Sequence, residues 1–195
     1  MAVEIIDFTV ADGGIEGLVV VTVKQVSDER GTIRELFRRS AFESAGVEID
    51  PFRQVNVTES RRGVIRGMHA EEMTKLLSIA SGEAFGAYVD LRRSSPTYGV
   101  VRTVDLRPGV QVLVPPGVAN GFQALTDGCQ YVYCFDAEWH PDMPGQAISP
   151  LDPGLAIEWP IPVDPDDVTM VSTKDRHAPT LADLSDSSGP SEEAS

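Results

Sequence analysis

The sequence predicts an antiparallel all-β domain with a few short helices. Apolar, β-branched runs of strand length recur at roughly ten-residue spacing, and each is ended by Gly, Pro or Ser. No βαβ alternation, heptad or repeated unit interrupts that rhythm, which leaves a sandwich or barrel as the architecture. "GLVVVTVKQV" (17–26) reads as one strand, and "DERG" after it as a turn. "TIRELF" (32–37) alternates apolar with charged residues, as a half-buried strand does. "SAFESAGV" (40–47) is the one early helix. Strands are then expected in "RQVNVTES", "GVIRGMHA", "KLLSIASG", "EAFGAYVDLR", "GVVRTVDLRPG", "VQVLVPPG", "GFQAL" and "CQYVYCFDAEW". "PLDPGLAIEWP" (150–160) is a proline-rich covering segment, and "TLADL" starts a terminal helix.

One stretch narrows the architecture. In "GVQVLVPPGVANGF" (109–122) a strand enters "PPG", turns, and re-enters a strand. That pattern is common in the double-stranded β-helix jelly roll (cupin-like), whose interior holds small ligands. Such folds often bind metal through closely spaced histidines and a glutamate. Here His69 is followed by Glu71 and Glu72, while His140 and His177 lie far away in sequence, so no metal is expected.

At 195 residues, 42% hydrophobic and 24% charged, the chain has the composition of one well-buried domain. We expect that domain over residues 1–184 and an acidic, solvated tail over 185–195 ("SDSSGPSEEAS"). A net charge of −14 argues against nucleic acid, which requires a contiguous basic surface. No apolar run reaches the ~18 residues of a membrane span. The start "MAVEIIDF" lacks the basic and long apolar regions of a signal peptide. Cys129 and Cys134, five apart in a strand-like run, fall on opposite faces, so a mutual disulfide is not expected. A reduced, cytoplasmic protein is the simplest expectation.

Several polar residues have no evident structural task. Period two places Gln54, Asn56 and Thr58 on one strand face and Val55 and Val57 on the other. A Gln-x-Asn face is costly to bury unless it meets a ligand or partner; the alternative is an exposed sheet surface. Gly67 between Arg66 and His69 allows the backbone to turn both toward one cavity. Arg30, before Gly31, and Glu35 on the next strand suit a phosphate site or an ordinary surface ion pair. Tyr131, Tyr133 and Phe135 form an aromatic stripe that serves core packing or offers a hydroxyl for proton transfer. Trp139, just beyond that strand, stacks on an aromatic ligand or caps the barrel.

The motifs "DERGTIRELF", "RQVNVTESRRGVIRGMH", "TKLLSIASGEAF", "VDLRRSSPTYG", "VLVPPGVANGF", "SPLDPGLAIEWP" and "VSTKDR" occur in that order over residues 17–184. Together they resemble the family of dTDP-4-dehydrorhamnose 3,5-epimerases and related deoxysugar epimerases. The resemblance implies a homodimeric jelly roll, with no metal or other cofactor, acting on a dTDP-linked 4-keto-6-deoxysugar. It implies His69 as base, Asp175 as the carboxylate that orients it, Tyr133 as acid, and Lys75 facing the developing enolate oxygen. Arg30, Glu35, Gln54, Asn56 and Arg66 match positions that hold the nucleotide, Lys174 joins the binding residues beside Asp175, and Trp139 falls where a ring stacks on thymine.

The sequence also departs from the family pattern. Asn120 stands where the family usually has a substrate-contacting histidine, Gly86 where an aspartate is common, and Pro144 where a glutamate is usual. The link from His69 to Lys75 is shorter than usual. These departures suit a divergent epimerase acting at C3, C5 or both. The alternatives are a nucleotide-sugar-binding cupin with impaired catalysis and a related isomerase on the same substrate class.

Overall fold

The computed structural model describes residues 3–186. In chain order its elements are β1 (Glu4–Ile6), β2 (Thr9–Asp12), β3 (Val19–Thr22), β4 (Gln25–Asp28), β5 (Gly31–Arg34), α1 (Arg39–Ser44) and β6 (Gln54–Ser60). Next come β7 (Ile65–Glu71), β8 (Lys75–Ser81), β9 (Ala84–Asp90), β10 (Val101–Leu106), β11 (Val110–Val114), β12 (Val118–Ala124), β13 (Cys129–Phe135) and β14 (Gly145–Ala147). A 3-10 turn at Pro153–Leu155, α2 (Thr173–Arg176) and α3 (Leu181–Asp186) complete them.

Two antiparallel sheets face each other, ordered β2-β3-β11-β8-β13-β6 and β10-β9-β12-β7-β14. Their inner faces interdigitate as a jelly roll. Leu77, Ile79, Val112, Val114 and Tyr131 from one sheet meet Ala84, Tyr88, Val118 and Phe122 from the other. The Phe122 and Tyr131 rings stack at 4.0 Å and 13° across the gap, a contact of about 0.5–1.5 kcal/mol beyond the area it buries. Both outer faces are covered as well. Phe42 of α1 with Phe8 and Phe52 lies over Val21, Leu76 and Leu113. Leu155, Trp159, Leu181 and Leu184 lie over Met68, Ala87 and Val89. Hence β8 and β12 read as nearly continuous buried runs rather than alternating ones.

The expected strand over 17–26 is two strands. β3 stays in the six-stranded sheet, and after Val23 and Lys24 the chain crosses into β4, in a separate sheet ordered β1-β4-β5. The β-branched run conceals this corner, because Val23 is buried as Val21 is, while its amide bonds to the Gly109 carbonyl at 2.9 Å. The tail expected from residue 185 begins inside α3, where the Ser185 hydroxyl bonds to the Leu181 carbonyl; residues 187–195 lie outside the described part.

Candidate active site

Between the two sheets, toward one end, lies a cavity of about 630 Å³ walled by β6, β7, β8, β12, β13 and the segment 168–175. Each wall follows from strand parity. On β13 Tyr131, Tyr133 and Phe135 point inward, with Tyr131 in the core and the other two lining the cavity. On β8 Lys75 shares the inner face with Leu77 and Ile79, so an ammonium enters an otherwise apolar row.

On β7, strict alternation would send Arg66 and His69 to opposite faces. The pairing with β12 shifts between Asn120↔His69 and Phe122↔Arg66, so three steps on β7 match two on β12. This bulge turns both side chains inward. Gly67 takes the extra step at φ +111, with Asn120 O 2.6 Å from the place a Cβ would occupy, so the position excludes a side chain.

His69 Nε2 lies 2.7 Å from Asp175 Oδ1. Asp175 is buried and sits on α2, whose start is capped by the Ser172 hydroxyl accepting from the Asp175 amide at 3.1 Å. The segment is anchored by the Ile65 amide, which donates to the Met170 carbonyl at 2.8 Å. Burial alone would raise the Asp175 pKa, but the hydrogen bond and charge of His69, with Ser172 and the Gly67 amide, hold it below the usual carboxylate value. An ionised carboxylate only accepts, so Nε2 carries the proton and Nδ1 keeps the lone pair in the neutral ring.

Tyr133 stands on the facing sheet, so imidazole and phenol approach the cavity from opposite walls. Burial pushes the Tyr133 hydroxyl well above its ordinary pKa, against the pull of the Thr58 hydroxyl and the Arg66 charge. The phenol is therefore a protonated donor at neutral pH. The deepest cation is Lys75, whose Nζ donates to the His69 carbonyl at 3.2 Å, to Asn120 Oδ1 at 2.6 Å and to the Glu71 carboxylate. At the mouth, Arg66 donates to the Ser60 hydroxyl at 2.9 Å, and Arg61 and Lys174 join it in a basic rim.

Of the twelve residues singled out from sequence, nine line this cavity: His69, Tyr133, Asp175, Lys75, Asn56, Arg66, Asn120, Trp139 and Lys174. Gln54 stands behind two of them, donating to Asn56 Oδ1 at 3.1 Å and accepting from the Trp139 amide at 2.7 Å. Arg30 and Glu35 do not reach the cavity of their own chain. They lie on the β4–β5 hairpin of the separate sheet, where Arg30 pairs with Asp28 and Glu35 with Arg38. Glu71 and Arg61 line the cavity and were not picked as site residues; strand parity from His69 was the available signal for Glu71. Gly86 faces the core rather than the cavity, and the Tyr88 hydroxyl lies 2.7 Å from where its Cβ would be. Pro144 is exposed, its carbonyl accepting from the Glu72 amide at 3.2 Å.

A family model described as dTDP-4-dehydrorhamnose 3,5-epimerase matches residues 12–183. The enzyme of that name from Methanothermobacter thermautotrophicus is 34% identical over 176 residues, covering 88% of this chain and 93% of its own. The dTDP-4-dehydro-6-deoxyglucose 3-epimerase of Streptomyces bikiniensis is 35% identical over 162 residues, 80% of each chain. Among solved structures, the 4-keto-6-deoxy sugar epimerase from the novobiocin cluster of Streptomyces spheroides superposes with a TM-score of 0.84 at 30% identity, covering 93% and 92% of the two chains. The Legionella pneumophila epimerase in complex with dTDP-4-keto-L-rhamnose superposes at 0.80 with 33% identity, covering 91% and 97%. With a match of this extent, and relatives at this identity over nearly their whole lengths, the chain belongs to the dTDP-4-dehydrorhamnose 3,5-epimerase family.

Proposed function

We propose that the protein epimerises a dTDP-linked 4-keto-6-deoxyhexose at C3, C5 or both, by proton transfer through an enolate. The observation that carries this reading is the opposition of the His69–Asp175 pair and Tyr133 across one cavity, with Lys75 at its floor. The C4 ketone acidifies the hydrogens on its neighbours. His69 Nδ1 takes one of them, the C–H electron pair forms the new C=C bond, and the carbonyl π pair moves onto the C4 oxygen. Asp175 stabilises the imidazolium that results. Lys75 meets the oxygen where negative charge develops. Tyr133 then returns a proton to the opposite face of the carbon, inverting it, and the carbonyl re-forms. Arg66, Lys174 and Arg61 suit the diphosphate, Asn56 and Gln54 the nucleoside, and Trp139 presents an indole for the thymine.

The reading includes a homodimer. Arg30 protrudes from the β4–β5 hairpin beside exposed Ile33, with Glu35 half-buried at its base, and the edge strand β6 next to the cavity exposes Val55 and Val57. A second copy that covers these apolar residues would bring the hairpin's Arg30 and Glu35 to its partner's cavity. Cys129 and Cys134 are both free, in keeping with a reducing, cytoplasmic setting.

The test is incubation with dTDP-4-keto-6-deoxyglucose in deuterated water, followed by NMR at C3 and C5. Deuterium enters one or both positions, and His69→Ala slows its entry by about 10²-fold or more while dTDP binding persists. Tight dTDP binding by the wild-type protein without any exchange would instead establish the non-catalytic, nucleotide-sugar-binding alternative.

A further inference from the structure

Glu71 belongs to the cavity wall, two residues along β7 from His69 and on the same face. Its partner is Lys75, whose side chain is 4% exposed against 19% for Glu71. An ammonium has three protons to donate. All three are engaged, by the His69 carbonyl, by Asn120 Oδ1 and by Glu71 Oε2. A substrate oxygen therefore reaches Lys75 only by displacing one of these acceptors. The His69 carbonyl is fixed in β7, and Asn120 is held within β12 between β7 and β9. Glu71 is the acceptor on a long, rotatable side chain beside open cavity.

The exchange depends on charge. A neutral ketone oxygen competes poorly with a carboxylate for an ammonium, whereas an enolate oxygen carries negative charge of its own. We propose that Glu71 is a positioning residue for Lys75: its carboxylate holds the ammonium in the free protein and yields it to the substrate's C4 oxygen as that oxygen becomes an enolate. Lys75 then stabilises the transition state more than the bound ketone, the condition for raising kcat rather than tightening ground-state binding. No bond to hydrogen breaks at either residue; one hydrogen bond of Lys75 changes acceptor. The proposal rests on the enolate reading given above.

Glu71 also supports the charge it positions. Burial draws the Lys75 pKa down, and Glu71 opposes that with its charge and hydrogen bond. The other titratable groups around the cavity are His69 and Arg66 on β7, Tyr133 on β13, Glu59 and Arg61 at the end of β6, and Lys174 and Asp175 on α2; β12 and β11 present the neutral Asn120 and Val114 to Lys75. Since protonated Lys75 is the active form, activity falls as pH rises through its pKa. Loss of Glu71 moves that fall to lower pH.

The chain has only three lysines, Lys24, Lys75 and Lys174, so Nζ-labelled lysine NMR resolves Lys75 without substrate. Glu71→Gln is expected to lower the Lys75 titration by about one unit, a tenfold change in the protonation equilibrium. In deuterium-exchange kinetics the same variant lowers kcat about tenfold and lowers KM, with the alkaline limb shifted in step with the NMR titration. Glu71→Asp, which keeps the charge, restores the limb toward the wild-type position. A Lys75 titration indifferent to Glu71→Gln, or kcat and KM both unchanged in that variant, overturns the proposal. A wild-type protein that exchanges no deuterium while its Lys75 titration still responds to Glu71→Gln refutes the epimerase reading and, with it, the catalytic use of an otherwise real pair.

Discussion

The chemistry of His69 is set by what holds Asp175. A carboxylate that is buried, yet bonded by an imidazole, a hydroxyl and an amide, stays ionised and fixes one ring tautomer. Because folding lowers its pKa, its stabilising effect is complete above the ordinary carboxylate value of about 3.9 and is lost only as pH falls through the depressed value. The pair therefore remains intact through the neutral range. Asp175→Asn keeps the shape but removes the charge beside the ring, which in the proposed mechanism stabilises the imidazolium. Deuterium exchange is expected to slow by roughly 10²-fold or more with KM almost unchanged, and an unchanged kcat would mean that Asp175 is only a structural partner. His69, Tyr133, Lys75 and Asp175 were legible as members of one cavity because they stand within motifs carried by the resemblance. Glu71 was not, because its role depends on the short turn that returns the chain to Lys75, and a glutamate in "HAEE" reads equally well as a solvated charge.

Among the elements, β7 shows how a single residue governs a site. Its extra step at Gly67 places a guanidinium and an imidazole on one face, which ordinary alternation forbids. A Cβ at Gly67 meets the Asn120 carbonyl at 2.6 Å and Gly121 Cα at 2.7 Å, both backbone atoms of the neighbouring strand. Gly67→Ala is expected to cost about 1–3 kcal/mol from its φ alone, before the clash is added. Thermal unfolding reads that loss, and a Tm within a degree of wild type would show that β7 adapts. The strands themselves were legible in the β-branched runs and their Gly and Pro stops. The corner after Val23 was not, because the apolar residues on both sides of it are all at least partly buried. The facing of the bulge was anticipated only as a freedom granted by glycine; the cross-strand register determines its direction.

For the whole molecule, a net charge of −14 coexists with a cavity mouth carrying Arg61, Arg66 and Lys174, so an anionic ligand is attracted locally by a chain that repels it overall. Val55 and Val57, 61% and 59% exposed on an edge strand, are the other feature of this scale, since edge strands with bare apolar residues invite pairing. Sedimentation is expected to give twice the 21.1 kDa chain mass. Val55→Lys with Val57→Lys is expected to yield monomers that bind dTDP more weakly, whereas a fully active 21.1 kDa wild-type species would exclude the dimer. The composition is silent on a dimer, because single exposed valines in a strand look like any half-buried pattern. The His69–Asp175 bond joins residues 106 apart in sequence. Because β1 to β14 all precede residue 148, the pair requires segment 168–175 against β7 as well as the two sheets.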